Sequence, residues 1–142
     1  MKDSMERIKK EITELIDEGL DIIRTEDTYR NKKQEGPTPD IFRYQKWYTR
    51  ALAVVRQLIP ERLPEFEEQY KLDKRKGIDS STYTIGDYLL GFRITKGLTN
   101  EFAAFQMRFL NQLAILGSAQ TRIDSILADI KGIIRLTYLI PN

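Results

Sequence analysis

At 142 residues, with 41% apolar and 31% charged side chains, the chain is long and mixed enough to bury a core of its own, so one globular domain over residues 1-142 is expected. It has neither cysteine nor histidine, which excludes disulfides, thiol catalysis, a histidine base and the commonest metal ligands, and fits a reducing compartment. A net charge of +2 does not by itself argue for nucleic acid or a membrane; with no apolar leader and no long apolar run, a cytoplasmic protein without a membrane span is expected.

In chain order, residues 4 to about 30 predict a first helix. Met5, Ile8, Ile12, Leu15, Ile16, Ile22 and Ile23 recur at three- and four-residue steps, with Glu11, Glu14, Asp17, Glu18 and Asp21 between them. Such an acidic surface reads as a solvated face; it lacks the loop spacing of a calcium site. Gly36, Pro37 and Pro39 mark a loop over about 31-40, after which Asp40 is placed to cap a second helix. That helix carries Ile41, Tyr44, Trp47, Tyr48, Ala51, Leu52, Val55, Leu58 and Ile59 on one arc, with Arg43, Lys46 and Arg50 on the other.

Pro60 predicts the end of the second helix, and Pro64 suits the first turn of a third, where its missing N–H does no harm. Leu63, Phe66 and Tyr70 give that helix an apolar stripe, Glu65, Glu67 and Glu68 begin it, and Lys71, Lys74, Arg75 and Lys76 are expected at its end, matching the helix dipole. A connector over about 73-83 follows. Thr84 and Asp87 then form a capping-box pattern for a short helix with Ile85, Tyr88, Leu89 and Phe92. Gly86 and Gly91 inside it predict close packing against the last helix, and Gly97 is expected to stop it.

From about Thr99 to the C-terminus two seven-residue series run in parallel: Phe102, Phe109, Leu116, Ile123, Ile130, Thr137, and Phe105, Gln112, Ala119, Ile126, Ile133, Ile140. They predict one long amphipathic helix, with Gly117, Ser118 and Gly132 as possible bending points. Leu110, Leu113, Ile115, Leu127 and Ile134 widen the stripe beyond a coiled-coil seam, which favours packing in a globular bundle. The fold class is therefore all-α: a bundle of four to five helices, with the first, second and last long and roughly antiparallel.

No glycine-rich phosphate loop, serine elbow or zinc-ligand spacing is present. Asp79, Asp87 and Asp124 are the carboxylates considered for acid-base chemistry, with Asp87 better read as a cap. No cofactor is implied. Two functional readings remain. The first is a non-catalytic interaction module that assembles with itself or a partner protein through the last helix, along Leu116, Ile123, Ile126, Ile130, Ile133, Leu139 and Ile140. The second is a nucleic-acid-binding module using Arg43, Lys46, Arg50, Lys74, Arg75 and Lys76.

A resemblance adds to this. The succession Phe42, Trp47-Tyr48, Ala51-Leu52, Ile59-Pro60-Glu61-Arg62, Glu65-Phe66, Tyr70, Arg75-Lys76, Ile78-Asp79, Tyr83-Thr84-Ile85 and Asp87-Tyr88-Leu89-Leu90-Gly91 resembles the N-terminal region of a family of uncharacterised prokaryotic proteins. Gln112, Ile115-Leu116 and Asp129-Ile130-Lys131 extend it over nearly the whole chain. Longer members are similar in their second half to the HEPN group of helical domains of toxin and defence systems. The nuclease signature of that group ends in a histidine, which this chain lacks. The resemblance thus implies a helical accessory domain with no catalytic residue to carry over, either complete or the N-terminal part of a longer or split protein.

Overall fold

A computed structural model describes residues 2–32, 36–72, 77–95 and 100–139. Five α-helices and one short 3-10 turn make up its regular structure, and no β-strand occurs among the described residues. Helix α1 spans Lys2–Asn31, α2 Arg43–Leu58, α3 Leu63–Glu68, α4 Ile85–Leu89 and α5 Glu101–Leu139; the 3-10 turn is Pro60–Arg62. At 16 residues α2 is about half as long as α1, and α5, at 39 residues, is the longest. The all-α bundle predicted from periodicity is the observed architecture.

Helices α1, α2 and α5 form the core. Lys9 pairs with Asp124 at 2.7 Å, Gln120 donates to Thr13 at 3.3 Å, and Arg30 lies over the Phe102 ring, so α1 and α5 run antiparallel along nearly all of α1. Arg50 reaches Glu11 and Glu18 while Arg43 reaches Asp21, so α2 is also antiparallel to α1. Against α5, however, α2 runs parallel: Tyr44 meets Gln112, and Arg122 donates to the Leu58 carbonyl. The expectation of a roughly antiparallel bundle is corrected for this pair. The physical reason is the return segment between α2 and α5, which carries the chain back along the bundle with α3 and α4 in it.

Aromatic side chains fill the centre. Trp47 is fully buried and donates its indole N–H to the Leu15 carbonyl at 2.7 Å, tying α2 to α1. Phe109 stands edge-on to both Trp47 and Tyr44, at 4.7 and 5.0 Å between ring centres. Gln112, a polar residue in the apolar series, is also fully buried. It accepts from the Tyr44 hydroxyl at 2.6 Å and donates to the Phe66 carbonyl at 3.1 Å, so three elements meet at one satisfied amide.

Several local expectations are refined. Asp40 does not cap α2: residues 38–43 form successive turns, and Phe42 stands at the N-cap with no side-chain cap. Pro60 does end α2, beginning the 3-10 turn. The third helix ends at Glu68 in a closing turn whose Lys71 N–H donates to the Glu67 carbonyl at 3.0 Å, and the next carbonyls, of Gln69 and Tyr70, accept from the N–H groups of Ile85 and Gly86, each at 3.0 Å. Thus the first amides of α4 find partners in the chain that leaves α3, and helix propagation past Tyr70 is interrupted. Lys74, Arg75 and Lys76, with Gly97 and Thr99, lie outside the described residues. The capping box of α4 forms as predicted: Thr84 N–H donates to the Asp87 carboxylate at 2.8 Å, and Asp87 N–H donates to the Thr84 hydroxyl at 3.3 Å.

The two glycines of the short helix have different roles from the one expected. A Cβ on Gly86 would sit 2.7 Å from the Tyr70 carbonyl oxygen, so the close approach is to the chain after α3, not to α5. Gly91 lies beyond the helix at φ 74°, the left-handed position that ends many helices. Gly117, in the interior of α5, has nothing within 4 Å of such a Cβ. Gly86→Ala is therefore expected to destabilise by about 1–3 kcal/mol through overpacking against backbone, whereas Gly117→Ala should stabilise by about 0.5–1 kcal/mol through helix propensity. Urea unfolding midpoints of the two variants against the parent check both signs.

Burial also governs the tyrosines. It pushes the Tyr44 phenol well above the ordinary 10.0, and pushes Tyr48 up to about 12 with help from Glu67. Tyr88 is raised too, by burial first and then by its hydrogen bond to Glu26. The unfolded chain releases these protons near the ordinary value, so their contribution to stability is complete below about pH 10 and is lost as pH rises through the folded values. In an alkaline titration the tyrosinate absorbance of these residues should appear together with the loss of helical circular dichroism. Tyrosinate absorbance of all seven tyrosines before any unfolding would contradict the packing.

Candidate interaction surface

The predicted seam of α5 divides along its length. Leu116 and Ile123 are 0% exposed, packed with α1 and α2 in the core, so as docking residues they are corrected: the bundle itself consumes that part of the seam. Ile126 and Ile130 are half-buried. From there the helix outruns its cover. The register set by Lys9 against Asp124 brings the start of α1 opposite the Ile130 turn, and later turns of α5 extend past it. Ile133 is 64% exposed, Leu136 58%, and Ile134 is exposed beside them. Leu139 ends the helix, and Ile140 lies outside the described residues. Ile134 belongs to the widened stripe seen in the sequence, while Leu136 lies off both seven-residue series. Its only sequence signal is the apolar composition of the last turns.

The basic stripe on α2 has a different fate. Arg43 donates to Asp21 at 3.1 Å and to Thr25 at 3.2 Å; Arg50 donates to Glu11 and to Glu18, each at 3.0 Å. The acidic face of α1 and the basic face of α2 thus neutralise one another across the helix interface. Lys46 is exposed. Lys74, Arg75 and Lys76 lie outside the described residues, and among the described residues Arg43 and Arg50 on either side of Lys46 are paired with α1.

The three carboxylates weighed for catalysis are each engaged separately. Asp79 accepts from the Ser81 hydroxyl at 2.6 Å, from its N–H at 2.8 Å and from the Thr82 N–H at 3.0 Å, and these bonds, the hydroxyl's foremost, hold its carboxyl below the usual range. Asp87 is buried in the capping box, and Asp124 pairs with Lys9, raising the lysine in turn. They belong to a turn, to α4 and to α5, so no carboxylate pair is assembled from them. Among the described residues no group of acidic side chains is placed to hold a metal ion, and no helix is long and apolar enough to cross a membrane. No protein-family model, curated protein or solved structure matches the chain.

Because Arg50 bridges two carboxylates on α1 yet stays largely in water, each of its pairs is worth only about 0.2–1 kcal/mol. Arg50→Ala should lower the melting temperature modestly at low ionic strength, and the loss should shrink in high salt as screening weakens the pairs in the parent. Thermal melts at two salt concentrations, with Lys46→Ala as an unaffected control, check this.

Proposed function

We propose that this chain is a non-catalytic helical assembly module that joins a second copy of itself through the end of α5 beyond α1. The observation that carries the proposal is the exposure of Ile133, Ile134 and Leu136 within a single turn of a helix whose preceding seam residues are buried or half-buried. Apolar residues clustered at that density favour burial against protein, at roughly 25 cal/mol for each Å² removed from water. The same turns carry charges of both signs, Asp129 against Lys131 and Arg135, so like copies approach without a field of one sign. A sequence without histidine or cysteine supports a binding role over catalysis. Together with the family resemblance, the proposal makes the chain a cytoplasmic accessory domain of a prokaryotic toxin or defence-type system.

Size-exclusion chromatography with light scattering tests it, on protein purified without nuclease. The expected mass is about twice the 16.6 kDa of one chain, and Ile134→Glu with Leu136→Glu should return a folded monomer, because both side chains are exposed and their loss leaves the core intact. A parent that is monomeric at all concentrations would overturn self-assembly. A peak that carries nucleic acid removable by salt would favour the basic residues of the second and third segments instead.

A further inference from the structure

We propose a second, separate site: the cleft where α1 ends and α5 begins binds a small organic anion that carries a flat ring. The cleft has a volume of about 540 Å³ and opens between the last turn of α1, the Gly36–Pro37 turn, the chain leaving α4 and the first turn of α5. That size lies within the roughly 300–1,000 Å³ of small-molecule sites.

Its chemistry is set by Arg30. The guanidinium carbon lies 5.6 Å from the centre of the Phe102 ring, a cation–π placement that holds the exposed side chain at the cleft. None of the ion pairs among the described residues includes Arg30. Two carboxylates at this end of the bundle are held by other donors. Glu101 accepts from Arg93 at 3.0 Å and from the Ile94 N–H at 3.1 Å, while Glu26, only 2% exposed, accepts from Thr38 and from the Tyr88 hydroxyl. Among the described residues that line the cleft, Arg30 and Arg93 are the cations and Glu101 the one carboxylate, leaving net positive charge and a planar donor fork suited to carboxylate or phosphate.

The ring is specified by the walls. Phe92 is 45% exposed although its backbone is held firmly: its N–H donates to the Asp87 carbonyl at 2.9 Å, and its carbonyl accepts from the Tyr83 hydroxyl at 2.7 Å. Gly91, just before it, adds no side chain to the lining. A solvent-facing aromatic on a fixed backbone, lining the same cleft as Tyr88 and Phe102, offers a flat apolar surface with an arginine that has no counter-ion among the described residues. An anion bearing a ring satisfies both features; inorganic phosphate satisfies one.

Phenyl phosphate is the minimal probe, with phenol and inorganic phosphate as its halves, titrated while amide chemical shifts are followed by NMR. Saturable shifts are expected around Phe92, Arg30 and Phe102, with each half binding at least about tenfold more weakly than the whole. Arg30→Ala should weaken phenyl phosphate by about tenfold and leave phenol unchanged, and Phe92→Ala should weaken both ring-bearing probes. Both side chains are exposed, so the variants keep the parent's dispersed spectrum. The site is overturned if phenyl phosphate gives no saturable shift at millimolar concentration, if the shifts map elsewhere, or if Arg30→Ala binds as the parent does. Affinity for inorganic phosphate equal to that for phenyl phosphate would overturn the ring.

Discussion

The structure depends on the antiparallel contact between α1 and α5, and on a difference in their lengths. At about 1.5 Å per residue, 39 residues reach roughly 58 Å and 30 residues roughly 45 Å. Once the two helices are in register from Arg30 over Phe102 to Lys9 against Asp124, the mismatch must emerge at one end. It emerges at the end of α5, where the apolar pattern does not stop with the cover. The assembly proposed for this protein follows from that constraint.

Across the other side of α1, charge decides the arrangement. Glu11, Glu18 and Asp21 face Arg43 and Arg50, so a helix that looks acidic and a helix that looks basic make one mixed surface. Such exposed pairs add little stability each, but they fix the side of α1 on which α2 lies, while Trp47 and its bond to the Leu15 carbonyl set the depth. The net charge available to a polyanion is correspondingly small on this face.

At the opposite end from the α5 extension, polar side chains close the bundle. The side chain of Glu26 gathers Tyr88 of α4 and Thr38 of the loop after α1, and Arg108 donates to the carbonyls of Ser81 and Tyr83, so one buried acidic side chain and one arginine hold the irregular segments to the long helices. Each satisfies backbone or hydroxyl groups that would otherwise be stranded away from water. The cleft beside Arg30 exists because these segments are pinned without filling the corner between them.

What the sequence determined by itself is what local periodicity and local chemistry encode: the helical class, the buried arc of Tyr44, Trp47 and Val55, the stop at Pro60, the Thr84–Asp87 capping box and the continuous seam of α5. Each depends on residues within a turn or two of one another, where the 3.6-residue repeat or a side chain's reach to its own backbone is enough. Tertiary structure alone decided the parallel run of α2 and α5, the early end of α3 against the first amides of α4, and the pairing of Arg43 and Arg50 with α1. It also decided where the seam ceases to be core: Leu116 and Ile123 share a heptad series with Ile130, and only the register of α1 separates the buried ones from the partly open one. The meeting of Arg30, Phe92 and Phe102 was illegible for the same reason. Arg30 lies far from the other two in the chain, and no periodic signal links residues whose proximity is set by how separate helices end.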